Sequence, residues 1–152
     1  MTDREDLHEP FRPTVARRVA NVLAVVVLGF MVALAVMLPE IADEGVGLAD
    51  RLGIVGFGAL VAWFLTRQAG VRATPDETGL TVRNLLVTRK VDWAEIVSVR
   101  FGQGRAWVQL DLADGETLSV MGVQAADGAR AAAEAIRLST LVALHSATPT
   151  DD

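Results

Sequence analysis

Few side chains in this sequence could do chemistry, and their spacing limits what that chemistry could be. His8 and His145 are the two histidines. A general base or a metal site needs such groups to converge. His8 falls in a charged terminal stretch with two prolines and His145 on a final helix, so no working pair is expected. Asp92 and Glu95 flank Trp93 and imitate an acid pair, but they read as exposed turn residues without a third group to act with. The chain has no cysteine, which removes disulfides, thiolate zinc ligands and a cysteine nucleophile. No catalytic, cofactor-binding or metal-binding residue is therefore assigned, no cofactor is expected, and the chain is read as non-enzymatic.

What remains is recognition chemistry. Trp107 lies in a strand, Ala106 to Leu112, whose alternation buries Val108, Leu110 and Leu112, so it is turned outward with Gln109 and Asp111. An outward Trp suits a membrane interface or a partner groove; the alternative is a ring that closes off one end of the core. Arg72, Arg83, Arg89 and Lys90 form a basic set on the early strands. Against anionic headgroups each would contribute about 1 kcal/mol; otherwise they line ordinary solvated strand faces. Trp107 and these four cations are the candidate interaction surface. Trp93, beside Ile96, is expected in the core. From Gly70 onward there are about 8 basic against 11 acidic side chains, a balance that argues against nucleic acid as a partner.

The elements that must position these residues divide sharply. Met1 to Pro13 mixes charges and prolines without an apolar period, and residues 1–17 are expected to be a disordered tail. Residues 18–68 read as a two-helix transmembrane hairpin. Val19 to Leu38 carries no charge, and about 20 residues at 1.5 Å each cover a hydrocarbon core of roughly 30 Å. Pro39 should stop that helix. A cleavable leader is the rival, with Arg17 and Arg18 before the apolar run and Ala33-Leu34-Ala35 inside it, but the run is too long for a leader core. A second span is expected over about 47–67, with Asp50 and Arg51 at one headgroup layer and Arg67 reaching the other. Gly53, Gly56 and Gly58 lie at small-residue spacing that suits close packing of the two helices or a homodimer through the second one. Arg12, Arg17 and Arg18 precede the first span and Arg67 and Arg72 follow the second, while the connector holds Glu40, Asp43, Glu44 and Asp50. By the positive-inside rule both termini are cytoplasmic in a multi-pass protein of the plasma (inner) membrane.

From Val71 the pattern becomes that of short antiparallel strands. Pro75 to Gly79, Asn84-Leu85, Gly102 to Gly104 and Asp114-Gly115 are turns. Val97, Val99 and Phe101 are expected to share one face of a strand. A helix capped by Asp127 should close the chain, with Ala131, Ala135, Leu138, Leu141 and Val142 as its apolar stripe. The segment 70–145 is one domain, and 146–152 a disordered tail.

Gly79-Leu80-Thr81-Val82-Arg83-Asn84, then Val91-Asp92-Trp93-Ala94-Glu95-Ile96, then Asp114-Gly115 and a terminal helix resemble the bacterial pleckstrin-homology-like (PH) domain. More narrowly, the chain is similar to the actinobacterial low-molecular-weight protein antigen family, in which two N-terminal spans precede one such domain. The resemblance implies a mainly-β, partly open barrel of about seven antiparallel strands with one C-terminal capping helix. It implies binding of lipids, peptides or proteins rather than catalysis. Phosphoinositide-binding relatives carry basic residues around the first hairpin, where this chain has Asp76 and Glu77, so specific inositide binding is not expected. The expected function is a membrane-tethered module for an unknown protein partner. The alternative is a peripheral sensor of anionic lipid headgroups.

Overall fold

Two runs nearly free of charge dictate the first two elements, α1 (Thr14–Ile41) and α2 (Leu48–Ala69). The computed structural model describes residues 7–41 and 45–146. Asp43, Glu44 and the tail from residue 147 onward lie outside the described residues, as do residues 1–6. The chain divides into two units, Ala16–Gly70 and Met1–Val15 with Val71–Asp152.

In the helical unit both helices are long and apolar enough to cross a membrane. Only 17% and 11% of their apolar windows are buried within the chain, unlike the core helix of a water-soluble protein. Val22, Val25 and Phe30 are among the large side chains left bare. Pro39 does not end α1, which runs on to Ile41. The cause is local. Proline has no N–H to give to the carbonyl four residues earlier, which here is Ala35 O, and Arg51 Nε donates to that oxygen instead at 2.9 Å. Of the three glycines expected to allow close approach, Gly58 does so: a Cβ there would meet Met31 Cβ at 2.7 Å. Gly53 and Gly56 have nothing within 4 Å of theirs.

The second unit is built from two antiparallel three-stranded sheets. β1 (Arg72–Pro75), β2 (Gly79–Arg83) and β3 (Thr88–Asp92) form the first in that order; β4 (Ile96–Arg100), β5 (Trp107–Leu112) and β6 (Thr117–Gln124) form the second. A 3₁₀ turn over Trp93–Glu95 joins them, and α3 (Ala129–Ser146) follows. Among the described residues the strands number six rather than the expected seven or so. Two-residue alternation puts Leu80, Val82, Val91, Val108, Leu110 and Val120 in the core, where Leu138 and Leu141 of α3 meet them.

The segment before α1 departs most from expectation. Instead of a disordered tail up to residue 17, Phe11 is fully buried and forms an antiparallel bridge with Ala73, its N–H donating to Ala73 O at 2.8 Å and its carbonyl accepting from Ala73 N–H at 3.0 Å. The Arg137 guanidinium lies 3.9 Å from the centre of its ring. Glycine at 122 makes this approach possible, since a Cβ would sit 2.8 Å from Phe11 O and 2.9 Å from Ala73 N. Alternation within the tail is too short to show this; the apolar partner of Phe11 lies beyond two intervening helices.

Two further expectations change. Val97 is 68% exposed, because a register irregularity between Ile96 and Ser98 breaks the alternation of β4; Val99 and Phe101 do pack on the core. Asp127 does not cap the helix that follows it. It ends a 3₁₀ turn before Gly128, and its carboxylate accepts from Thr14 N–H (3.0 Å), Thr14 Oγ1 (2.9 Å) and Val15 N–H (2.9 Å). The cap serves the N-terminus of α1, which for that reason starts ahead of its apolar run.

Candidate functional site

The register of the first sheet separates the four cations. Arg72 stands opposite Arg83, Thr81 opposite Lys90, and Val82 opposite Arg89. Because Val82 and Val91 point into the core, Arg89 belongs to the inner side and the other three to the outer side. Arg89 reaches the β5–β6 turn and pairs with Glu116 (2.5 Å) and Asp114 (3.5 Å). The hydrogen bond to Glu116 raises its affinity for its proton above the ordinary value. Lys90 pairs with Asp76 at 2.9 Å. Neither cation is left over for a partner. Arg72 and Arg83, by contrast, form a like-charge cross-strand pair without an ion pair among the described residues. Trp107 is half-buried on β5, in the other sheet, opposite Gln124. The five expected residues therefore do not converge on one surface.

Trp93 is in the core as expected, 3% exposed, and its Nε1 donates to Asp76 O at 2.9 Å. His145 stacks on it with ring centres 4.8 Å apart. His8, expected to be remote, lies edge-on to His145 at 6.0 Å. The two rings and Glu77 line a cleft of about 440 Å³. His145 Nδ1 is 2.8 Å from Leu141 O, which fixes the proton on Nδ1. Among the described residues no group of three potential metal ligands forms. Glu77 lines the same cleft, but it does not join the two imidazoles in such a group.

A surface that no motif announced runs between β4 and α3. Two adjoining grooves, each about 300 Å³, share Val99 and Ser139. Val97 stands at one and Ile136 at the other, 68% and 67% exposed. Among the described residues β4 pairs with β5 on one side only, so its other edge presents unpaired backbone groups. The nearest sequence signal was Val97 itself, which the regular alternation put on one face with Val99 and Phe101.

The turn between β1 and β2 is held by Asp76. Its Oδ1 accepts from Thr78 Oγ1 (2.7 Å), Thr78 N–H (2.8 Å) and Gly79 N–H (2.9 Å). The Thr78 hydroxyl first, and then Lys90, hold this carboxyl well below the usual carboxylate range. The acids Asp76, Glu77 and Asp92 gather at this end of the first sheet, and Arg72 and Arg83 at the other.

Comparison with known proteins bears out the resemblance at the level of the domain. Residues 70–139 match the family model of the bacterial PH domain. Uncharacterized proteins of Mycobacterium bovis and of two strains of Mycobacterium tuberculosis are each 37% identical over 97 residues, covering 64% of this chain and 63% of each relative. No solved structure matches the chain. Phe11, buried in the same unit, lies outside the matched segment.

Proposed function

We propose that this bacterial PH domain is the docking module of a membrane-anchored, non-catalytic protein, and that it takes an extended peptide with apolar side chains at alternate positions. The groove along the open edge of β4 carries this reading. An added strand would satisfy the free N–H and C=O groups of β4, and every second side chain would fall toward α3, where Val99, Ala135 and Val142 offer apolar contact. The strand order β4-β5-β6 puts β4 at the margin of its sheet. The two apolar helices supply the anchor. Phe11 before them and Ala73 after them share one β-bridge, which supports an even number of crossings, and the arginines on both flanks favour the cytoplasmic side of the plasma membrane. As a headgroup sensor through Arg83, Arg89 and Lys90, the domain would first have to break the ion pairs of the last two.

Selection of a displayed random-peptide library on the full chain in detergent tests the groove. Enriched sequences should alternate apolar and polar residues, and Ser139→Trp, which fills the space common to both grooves, should abolish their binding. Peptides that bind the Ser139→Trp protein equally well would sink the reading.

A further inference from the structure

We infer that the β2–β3 hairpin tip, Leu86 and Val87, together with Arg72 and Arg83, docks onto an anionic bilayer surface. This rests on the reading of the two apolar helices as an anchor and concerns a surface separate from the peptide groove. Leu86 and Val87 are 74% and 63% exposed. In water that is an unfavourable way to end a hairpin, where polar turn residues are the rule. The tip is also held firmly: Asn84 N–H donates to Val87 O at 2.9 Å, Asn84 Nδ2 donates to Ser119 O at 2.7 Å, and Met121 N–H donates to Asn84 Oδ1 at 3.1 Å. A polar staple to β6 thus presents two bare apolar side chains on a fixed base.

Charge says what covers them. Arg83 is the last residue of β2 before the tip, and Arg72 stands directly opposite it. Two like charges in cross-strand register repel one another, and among the described residues neither has an anionic partner. The acids of this sheet, Asp76, Glu77 and Asp92, sit at its far end, and Asp114 and Glu116 engage Arg89 on the inner side. An apolar tip rimmed by uncompensated guanidinium groups is complementary to acyl chains beneath anionic headgroups. Only Gly70 and Val71 separate Arg72 from the end of α2, so a bilayer anchor is joined to this end of the sheet by a very short linker.

The chain lacks cysteine, so Leu86→Cys gives a single attachment point for an environment-sensitive fluorophore; Glu77→Cys, at the opposite end of the sheet, is the comparison. The full chain is reconstituted in vesicles of phosphatidylcholine and phosphatidylglycerol, and retention after alkaline washing checks the anchor independently. The label at position 86 should be quenched by brominated acyl chains and shielded from aqueous iodide, with the reverse at 77. In the Arg72→Gln/Arg83→Gln protein the docked-to-undocked ratio should fall roughly five-fold per arginine, and in phosphatidylcholine alone it should fall likewise. A retained protein whose position-86 label is as open to iodide as that at 77 overturns the inference. Shielding without lipid quenching also overturns it, in favour of a protein contact, as does lipid quenching indifferent to both the arginines and the lipid charge.

Discussion

At the scale of single residues, two carboxylates hold turns and ends together by accepting hydrogen bonds. Burial by itself would raise the Asp127 carboxyl, but the N–H groups of Val15 and Thr14 and the Thr14 hydroxyl outweigh it and hold its affinity for a proton below the ordinary value. Asp76 is shifted the same way. A folded-state value below the unfolded one stabilises the fold above the unfolded value, about pH 4, and that contribution is lost as the pH falls further. Thermal unfolding of the full chain in detergent should therefore show Tm falling steeply below about pH 4, with the fall reduced in Asp76→Asn and Asp127→Asn, whose Tm at pH 7 should already be lower. Removing the Asp127 cap altogether, as Asp127→Ala, should cost about 1 kcal/mol. Glycine at 79 has a different role. A Cβ there would lie 2.1 Å from Val91 O, so Gly79→Ala should destabilise by about 3 kcal/mol. Gly104→Ala should be the milder change in the same unfolding experiment, since that position meets no atom and has only its φ of +79° against it.

At the scale of elements, the ends of the helices decide where they stop. Arg51 gives α1 the hydrogen bond that Pro39 cannot, so Arg51→Met leaves Ala35 O without a donor in an apolar setting. A hydrogen bond from a charged group is worth about 1.5 to 3 kcal/mol. Steric trapping or detergent unfolding should show a loss of that order, and Arg51→Lys should recover part of it. The strap around Phe11 is the second element that tertiary contacts create. Phe11→Ala should cost about 3 to 5 kcal/mol, the range for a buried aromatic, and hydrogen exchange should then rise at Ala73 and along β6. Neither role is legible from local pattern. A proline after an apolar run signals a stop, and Phe11 among charges and prolines signals disorder; each reading is reversed by a partner distant in the chain.

For the whole molecule, the strap makes the domain depend on residues from both sides of the helical pair. A fragment starting at residue 70 covers the matched PH segment but lacks Phe11, and it should be less stable than the full chain by an amount close to that of Phe11→Ala. A synthetic peptide of residues 7–15 should recover stability in trans; no gain at saturating peptide would show the strap to be dispensable. The shared bridge also makes a topological prediction. Reporters fused before Met1 and after Asp152 should be active on the same side of the membrane, and activity on opposite sides would rule out the paired arrangement of the flanks.

Composition and period alone determined the order of the chain: two apolar helices, then short alternating strands, then an amphipathic helix, with Trp93 inside. These follow from one-dimensional signals, because charge-free length and two- or four-residue periods are properties of neighbouring residues. The tertiary structure decided which polar groups are free. Sequence grouped Arg72, Arg83, Arg89 and Lys90 as one basic set, while register and ion pairs left Arg72 with Arg83 and engaged the other two with Asp76, Asp114 and Glu116. It also decided that Asp127 caps α1, that His8 meets His145, and that β4 keeps an open edge beside α3. Each depends on which distant segments meet, and pairing across more than a hundred residues leaves no periodic trace in the sequence.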